Sequence, residues 1–180
     1  MSNEVLEFWF DRANRRHWFD ASADFDALVR QRLLPRHIDA VEGRLDHWKD
    51  NADGALALGI LFDQVPRNAF RGTARAFATD AQARAVARHS LALRFDRSHP
   101  SDDRRMFCYL PFEHSEDLED QILAVRLLSE RTADESAADY ARQHLAVITK
   151  FGRFPHRNAI LGRSSTAEEL AFLKRPGSAF

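Results

Sequence analysis

The sequence predicts an all-α protein, an antiparallel array of roughly eight or nine helices joined by short connections. Three observations carry that prediction. Alanine, leucine and arginine dominate while valine, isoleucine and threonine are sparse, which favours helix over strand on intrinsic propensity. Apolar residues recur three and four positions apart, and capping residues or Gly and Pro stand at the ends of those periodic runs.

Ser2 is placed to cap a short helix carrying Val5, Leu6 and Trp9, and Asp20 or Ser22 to cap the next, whose stripe is Phe25, Leu28, Val29 and Leu33. Pro35 is expected to break or restart that helix, residues 36–42 continue it, and Gly43 supplies a left-handed stop covered by Leu45 and Trp48. From Asp53 to Val65 the chain is apolar on nearly every side, as a central helix must be, and Pro66 is expected to end it. Thr79 and Gln82 read as a capping box opening a helix to about Leu93. Ser101 caps another, carrying Met106, Phe107, Tyr109 and Leu110 and stopped by Pro111.

Ser115 is expected to cap a helix whose inward stripe is Leu118, Ile122, Val125 and Leu128, with Gln121 off that face. A helix from about Asp134 to Lys150 turns Ala137, Tyr140, Ala141, Leu145 and Ile148 inward and stops at Phe151-Gly152. Thr166 and Glu169 form a capping box before Leu170, Phe172 and Leu173. No linker, low-complexity segment or fixed-period repeat intervenes, so residues 1–180 read as a single all-helical domain. At that length about 70% of the unfolded chain's surface can be buried without a disulfide or metal staple.

Composition narrows the function classes. A net charge of −1 with 29% charged residues lacks the basic footprint of a nucleic-acid binder. The arginines near Trp18 (Arg12, Arg15, Arg16) and those at Arg67, Arg71 and Arg75 are diluted by neighbouring carboxylates. The single cysteine, Cys108, lies in the apolar run MFCYL and reads as a core thiol. The amino terminus has no basic leader, and the apolar run ALALGILF is far short of the roughly 20 residues that span a bilayer, so a cytoplasmic protein without a membrane partner is expected. No G-x-G-x-x-G, phosphate-loop lysine motif, G-x-S-x-G or H-E-x-x-H occurs, and no cofactor is expected. Nothing in the sequence specifies an oligomeric state.

Three connections concentrate specific polar residues beside phenylalanines. FDQVPRNAFRG offers Asp63, Gln64, Arg67, Asn68 and Arg71; LPFEHSEDLED offers Glu113, His114, Glu116, Asp117 and Asp120; KFGRFPHRNAILGR offers Arg153, His156, Arg157, Asn158 and Arg163. Arg-Asn-Ala-apolar-x-Gly thus occurs twice, each time after a proline. Read structurally, Pro ends a helix, Asn accepts the turn and Gly supplies positive φ, while arginine–carboxylate pairs set helix angles and the acidic run complements a helix start. Read chemically, Arg67 and Arg157 are planar forks for a carboxylate or phosphate, with Asn68, Asp63, Gln64 and Asn158 as further ligand-binding candidates. His114 and His156 are proton-transfer candidates near neutral pH, oriented or activated by Glu113 or Asp117. If the three loops converge, Phe62, Phe70, Phe112 and Phe154 would rim the pocket. His114 with Asp117, and His156 or Glu113, also make a loose metal set, which is too irregular to adopt. His17, His37, His47, His89, His99 and His144 read as surface or packing residues.

The stretches VLEFWF, LFDQVPRNAFRGTARAFATD, YLPFEHSEDLEDQ and FGRFPHRNAILGRSSTAEELAFL resemble the bacterial domain-of-unknown-function 924 family over nearly the whole length. The resemblance implies a tetratricopeptide-like, right-handed stack of helix pairs and supplies no activity. Two functions follow as expectations: a site for a small anionic metabolite, with catalysis on it as an extension, or a tetratricopeptide-like scaffold that binds a peptide or protein partner.

Overall fold

Residues 2–178, which this computed structural model describes, form nine α-helices and no strand. In chain order these are α1 (Ser2–Trp9), α2 (Arg12–Arg15), α3 (Ala23–Val41), α4 (Ala52–Ala69), α5 (Asp80–Ala92), α6 (Asp102–Glu113), α7 (Leu118–Arg131), α8 (Glu135–Phe151) and α9 (Ala167–Leu173). Short 3-10 turns lie at Asp46–Asp50, Ala74–Phe77, Phe95–Ser98 and Pro155–Arg157. Among the described residues no helix is long and apolar enough to cross a membrane.

The helix that is apolar all round is the central one, as expected. Every residue from Gly54 through Pro66 is buried, and α4 packs against α1, α3, α5 and α6. Gly54 permits the close approach of the preceding 3-10 turn, since a Cβ there would lie 2.1 Å from the Trp48 carbonyl oxygen. On the other side α6, α7 and α8 pack consecutively, and Cys108 is a buried thiol donating to the Arg104 carbonyl.

Several caps agree with the sequence. Ser22 accepts from the Phe25 amide, Ser101 from Arg104, and Thr166 with Glu169 makes the full reciprocal box. Gly43 and Gly152 take the left-handed conformation at their helix ends. Ser2 is the first helical residue rather than a cap. Asp117, not Ser115, caps α7, accepting from Glu119 and Asp120; the Ser115 hydroxyl accepts from Asp117.

The prolines do not stop their helices. Pro35, Pro66 and Pro111 all lie inside α3, α4 and α6. Each removes only the bond to the carbonyl four residues earlier. At Pro66 that carbonyl is Phe62, and Thr79, fully available because it makes no cap bond, donates its hydroxyl there at 2.6 Å. The expected Thr79–Gln82 capping box is therefore absent, and Phe70 N donates to Pro66 O to close the last turn of α4.

Two inward stripes are rotated by about one residue from expectation, roughly 100° around the helix. In α7 the buried face is Asp120, Gln121, Ala124, Leu127 and Leu128, whereas Leu118 and Ile122 are exposed. Gln121 explains the rotation: its amide donates to the Glu113 and Ser115 carbonyls at 2.5 and 2.7 Å, supplying partners at the C-terminal end of α6. In α8 the inward residues are Ala138, Ala141, His144, Val147 and Ile148, and Tyr140 is exposed.

Replacing Thr79 by valine should leave the Phe62 carbonyl buried without its donor and lower stability by about 1–3 kcal/mol, while Thr79→Ser stays near wild type. Urea unfolding midpoints of the two variants check this; equal midpoints would contradict it.

Candidate functional site at the convergence of three loops

The three polar connections meet. Asp63, in the penultimate turn of α4, is 2% exposed. His114, at the end of α6, places Nδ1 2.7 Å from Asp63 Oδ1, tying the first loop to the second. Glu116 ties the second to the third, because its carboxylate accepts the Phe154 amide at 2.8 Å and a fork from Arg163 at 2.7 and 2.9 Å. Asp80, the first residue of α5, ties the first to the third: it accepts a fork from Arg67 at 2.8 and 3.2 Å and lies 3.7 Å from Arg157.

The contacts close into a ring. From Asp63 they pass to His114, then to His144 with ring centroids 6.4 Å apart, then to Phe154 at 5.6 Å. From Phe154 they pass to the Arg157 guanidinium at 4.4 Å, to Asp80, to Arg67, and back to Asp63 at 3.3 Å. Phe77 lies beneath both arginines, 5.6 Å from Arg67 and 4.6 Å from Arg157. Glu113 sits inside the circuit with Oε1 3.5 Å from His144 Nδ1.

The two Arg-Asn-Ala copies explain how the fold delivers these groups. In both, glycine has positive φ (Gly72 at 77°, Gly162 at 67°). In both, the asparagine carbonyl oxygen accepts from a downstream arginine, Asn68 from Arg71 and Asn158 from Arg163. Those arginines in turn fork onto a carboxylate of another element, Asp26 of α3 and Glu116 respectively. Asn68 and Asn158 are thus occupied in bracing their own turns. The leading arginines, Arg67 and Arg157, then project to the shared Asp80 and Phe77.

Those two arginines differ. Arg67 is well paired, donating to the Asp63 carbonyl at 3.0 Å as well as to both oxygens of Asp80. Arg157 is 6% exposed, its Nε is buried with no hydrogen-bond partner among the described residues, and its ion pair with Asp80, at 3.7 Å, is too long for a hydrogen bond. Burial, then Arg67, lowers its pKa to about 10 despite Asp80, Glu116 and Asp63.

Protonation states follow from the same geometry. Burial alone would raise the Asp63 carboxyl, but Arg67 first and then His114 and Gln64 hold it below the usual range. The His114 imidazole is pushed down by burial and Arg67, so near neutral pH it is uncharged and its Nδ1–H donates to Asp63. Burial raises the Glu113 carboxyl to about 8, with Asp63 adding to it, so Glu113 is a neutral acid. His144, whose Nδ1–H donates to the Tyr140 carbonyl at 2.8 Å, is lowered to about 3 by burial and by His114 and Arg157. His156, whose ring is 5.6 Å from that of Phe154, is lowered to about 4 by burial and the adjoining Arg157.

Sequence-selected residues thus divide. Asp63, Gln64, Arg67, Glu113, His114 and Arg157 come together, with Gln64 donating to Asp63. His156 flanks the ring through Phe154, while Asp117 is engaged in the α7 cap. Of the expected rim, Phe154 is present; Phe62 and Phe112 belong to the main core and Phe70 carries the Arg75 guanidinium. Asp80, Phe77 and His144 were not expected in the site. The inward helical spacing of His144 with Ala141 and Ile148 was the available signal for the last. Among the described residues no group of three or more His, Cys, Asp or Glu side chains is arranged to hold a metal ion.

A comparison with protein families matches residues 5–177 to one described as "Bacterial protein of unknown function (DUF924)". A search of curated proteins finds no match. Among solved structures, the chain is similar to the protein of unknown function ATU0120 from Agrobacterium tumefaciens, with 39% identity, 96% of each chain covered and a TM-score of 0.90.

Linkage gives opposite pH signatures to two buried groups. A histidine held below its unfolded value of 6.5 contributes stability that is present above that pH and lost as pH falls, up to about 1.4 kcal/mol per pH unit for one suppressed proton. Glu113, held above its unfolded value of 4.5, contributes stability that is present below that pH and lost as pH rises through about 8. Thermal midpoints against pH should therefore show His144→Asn flattening the decline between pH 6.5 and 4. The advantage of Glu113→Gln over wild type should grow from pH 4.5 to 8. Parallel curves for all three proteins would contradict these assignments.

Proposed function

Because the chain belongs to a family of bacterial proteins whose function is unknown, DUF924, we propose its function from its own residues: it binds a small anionic metabolite at the polar ring and acts on it through His114. The observation that carries this reading is the Asp63–His114 pair beside an unsatisfied Arg157. A buried carboxylate accepting from Nδ1–H fixes the tautomer, so that His114 Nε2 is the proton acceptor, the arrangement by which a histidine serves as general base. Asp63 does not change its own protonation; it orients the ring and stabilises the imidazolium that forms.

Arg157 supplies the anion's partner. Glu113, held neutral beside His144, is a proton donor inside the same circuit, complementary to the His114 base. His156, next to Arg157 in sequence, is retained as a second proton-transfer candidate. Arg67 is a support of the site rather than a direct ligand, because Asp80 and the Asp63 carbonyl take up its donors.

The alternative reading, a tetratricopeptide-like right-handed stack that docks a peptide, draws support from the consecutive packing of α3, α4 and α5 and of α6, α7 and α8. The closure of three separate loops into one ring favours the small-molecule reading, since a scaffold groove needs no such convergence.

The test separates binding from chemistry. Thermal-shift screening of the purified protein against carboxylated and phosphorylated metabolites should find an anion that raises the melting temperature, and that ligand becomes the candidate substrate. His114→Gln should keep the ligand-induced shift but reduce turnover by about two to four orders of magnitude. If that variant turns over the ligand at the wild-type rate, His114 is not the acting base.

A further inference from the structure

Arginines around the site are satisfied in one recurring way. Arg67 forks onto Asp80, Arg71 onto Asp26 at 2.7 and 2.8 Å, Arg153 onto Glu169 at 2.6 and 2.8 Å, and Arg163 onto Glu116. Arg157 occupies the same motif position as Arg67 and is more deeply buried, yet it has no such partner: its Nε is unbonded among the described residues and Asp80 stands 3.7 Å from its Nη1. A carboxylate or a phosphate can accept such a fork, and a planar carboxylate matches the partners of the other four arginines.

Charge limits what that group can be. Around the ring Arg67, Arg157 and Arg163 face Asp63, Asp80 and Glu116, three cations against three carboxylates. Glu113 is held as a neutral acid and the nearby histidines His114, His144 and His156 are held neutral near pH 7. A single negative charge answers the one incompletely paired cation. A phosphate monoester would bring nearly two, against Asp80 at the rim and with no second unpaired cation to receive it. Aromatic walls set the third condition. Phe154, fully buried, backs the guanidinium at 4.4 Å, while the partly exposed Phe77, 4.6 Å away, offers apolar surface to whatever the anionic group is attached to.

Building on the anion site proposed above, we infer that its ligand is a monocarboxylate with a flat or apolar body, whose carboxylate forks onto Arg157 beside Phe77. The incompletely paired guanidinium favours an anion over a neutral ligand, the neighbouring Asp80 disfavours a dianion, and Phe77 favours an apolar body over a small hydrated ion.

Matched pairs of probes with one carbon body test this, from acetate and methyl phosphate to benzoate and phenyl phosphate, with benzamide as the neutral control. Calorimetric titration of the full chain at pH 7 should give at least tenfold tighter binding of the carboxylate than of its phosphate partner, improving from acetate to benzoate, and no binding of benzamide. Arg157→Gln should abolish carboxylate binding and Arg157→Lys should weaken it about tenfold or more, since an ammonium cannot fork; circular dichroism establishes that each variant is folded, and Arg157→Lys carries the test if the glutamine variant is not. Equal or tighter binding of the phosphates would overturn the monocarboxylate inference while leaving an anion site in place. Undiminished carboxylate binding in the folded arginine variant would overturn it by location. If neither class of anion binds the wild type, the underlying reading of an anion site fails as well.

Discussion

A carboxylate buried in the most hydrophobic helix is the constraint from which the site follows. Asp63 lies among Leu61, Phe62 and Val65 on a helix wrapped by four others, and an ionised group there is tolerable only if nearly every lone pair is met. Arg67, one turn on, supplies charge; Gln64 and His114 supply hydrogen bonds. Each of these obligations reaches further. Holding Arg67 brings in Asp80 and fixes the start of α5. Holding His114 fixes the end of α6 and the tautomer of its ring. The same negative charge, added to burial, keeps Glu113 protonated. One buried charge therefore sets the ionisation of its neighbours as well as their positions.

The doubled Arg-Asn-Ala stretch separates two kinds of work done by similar words. Pro66 lies within α4 and Pro155 opens a 3-10 turn, but Asn and Gly do the same thing in both copies, making a turn whose asparagine locks a downstream arginine onto another element. The leading arginine does not. In the first copy it finds Asp80 in a bidentate geometry, whereas in the second it arrives at the same carboxylate after its oxygens are taken, 3.7 Å away and flanked by rings. Sequence similarity at this level encodes the positive-φ glycine and the asparagine–arginine brace. What the side chain meets at its tip is decided by tertiary arrangement, here by Asp80 being shared.

That distinction also accounts for what was legible beforehand. The existence and order of the helices, the centrality of α4, and the polar character of three connections are local properties, written in spacing and caps. Where a helix ends at a proline is not local: α4 continues past Pro66 because Thr79, seventeen residues after Phe62, satisfies the freed Phe62 carbonyl. The rotation of α7 depends on Gln121 reaching carbonyls at the end of α6, a demand that outweighs the larger apolar side chains of Leu118 and Ile122. Asp80 is an acid in the first turn of its helix, favourable at any helix start, and His144 reads in the sequence as a packing residue. Both acquire their roles only from partners that are distant in sequence.

The placement of the ring at helix ends is itself physically informative. Asp63 and Arg67 occupy the last turns of α4, Glu113 ends α6, and Arg157 follows α8, so three helix C-termini, each with partial negative charge, contribute to one region. Carboxylates gathered there would repel unless cations were supplied or protons retained, and both occur: arginines enter from the two motif copies and Glu113 keeps its proton. Such a balance suits structure alone until Arg157 is considered. A purely structural network gains by satisfying its most buried cation first, and here the most buried arginine of the set is the one left incompletely paired. An unmet donor at that depth costs about 1–3 kcal/mol, the stability that the proposed anion would restore on docking. Departure from local optimisation of this kind, within a network whose other arginines are forked onto carboxylates, is what functional or strained sites show, and it is the physical basis of the proposed anion site.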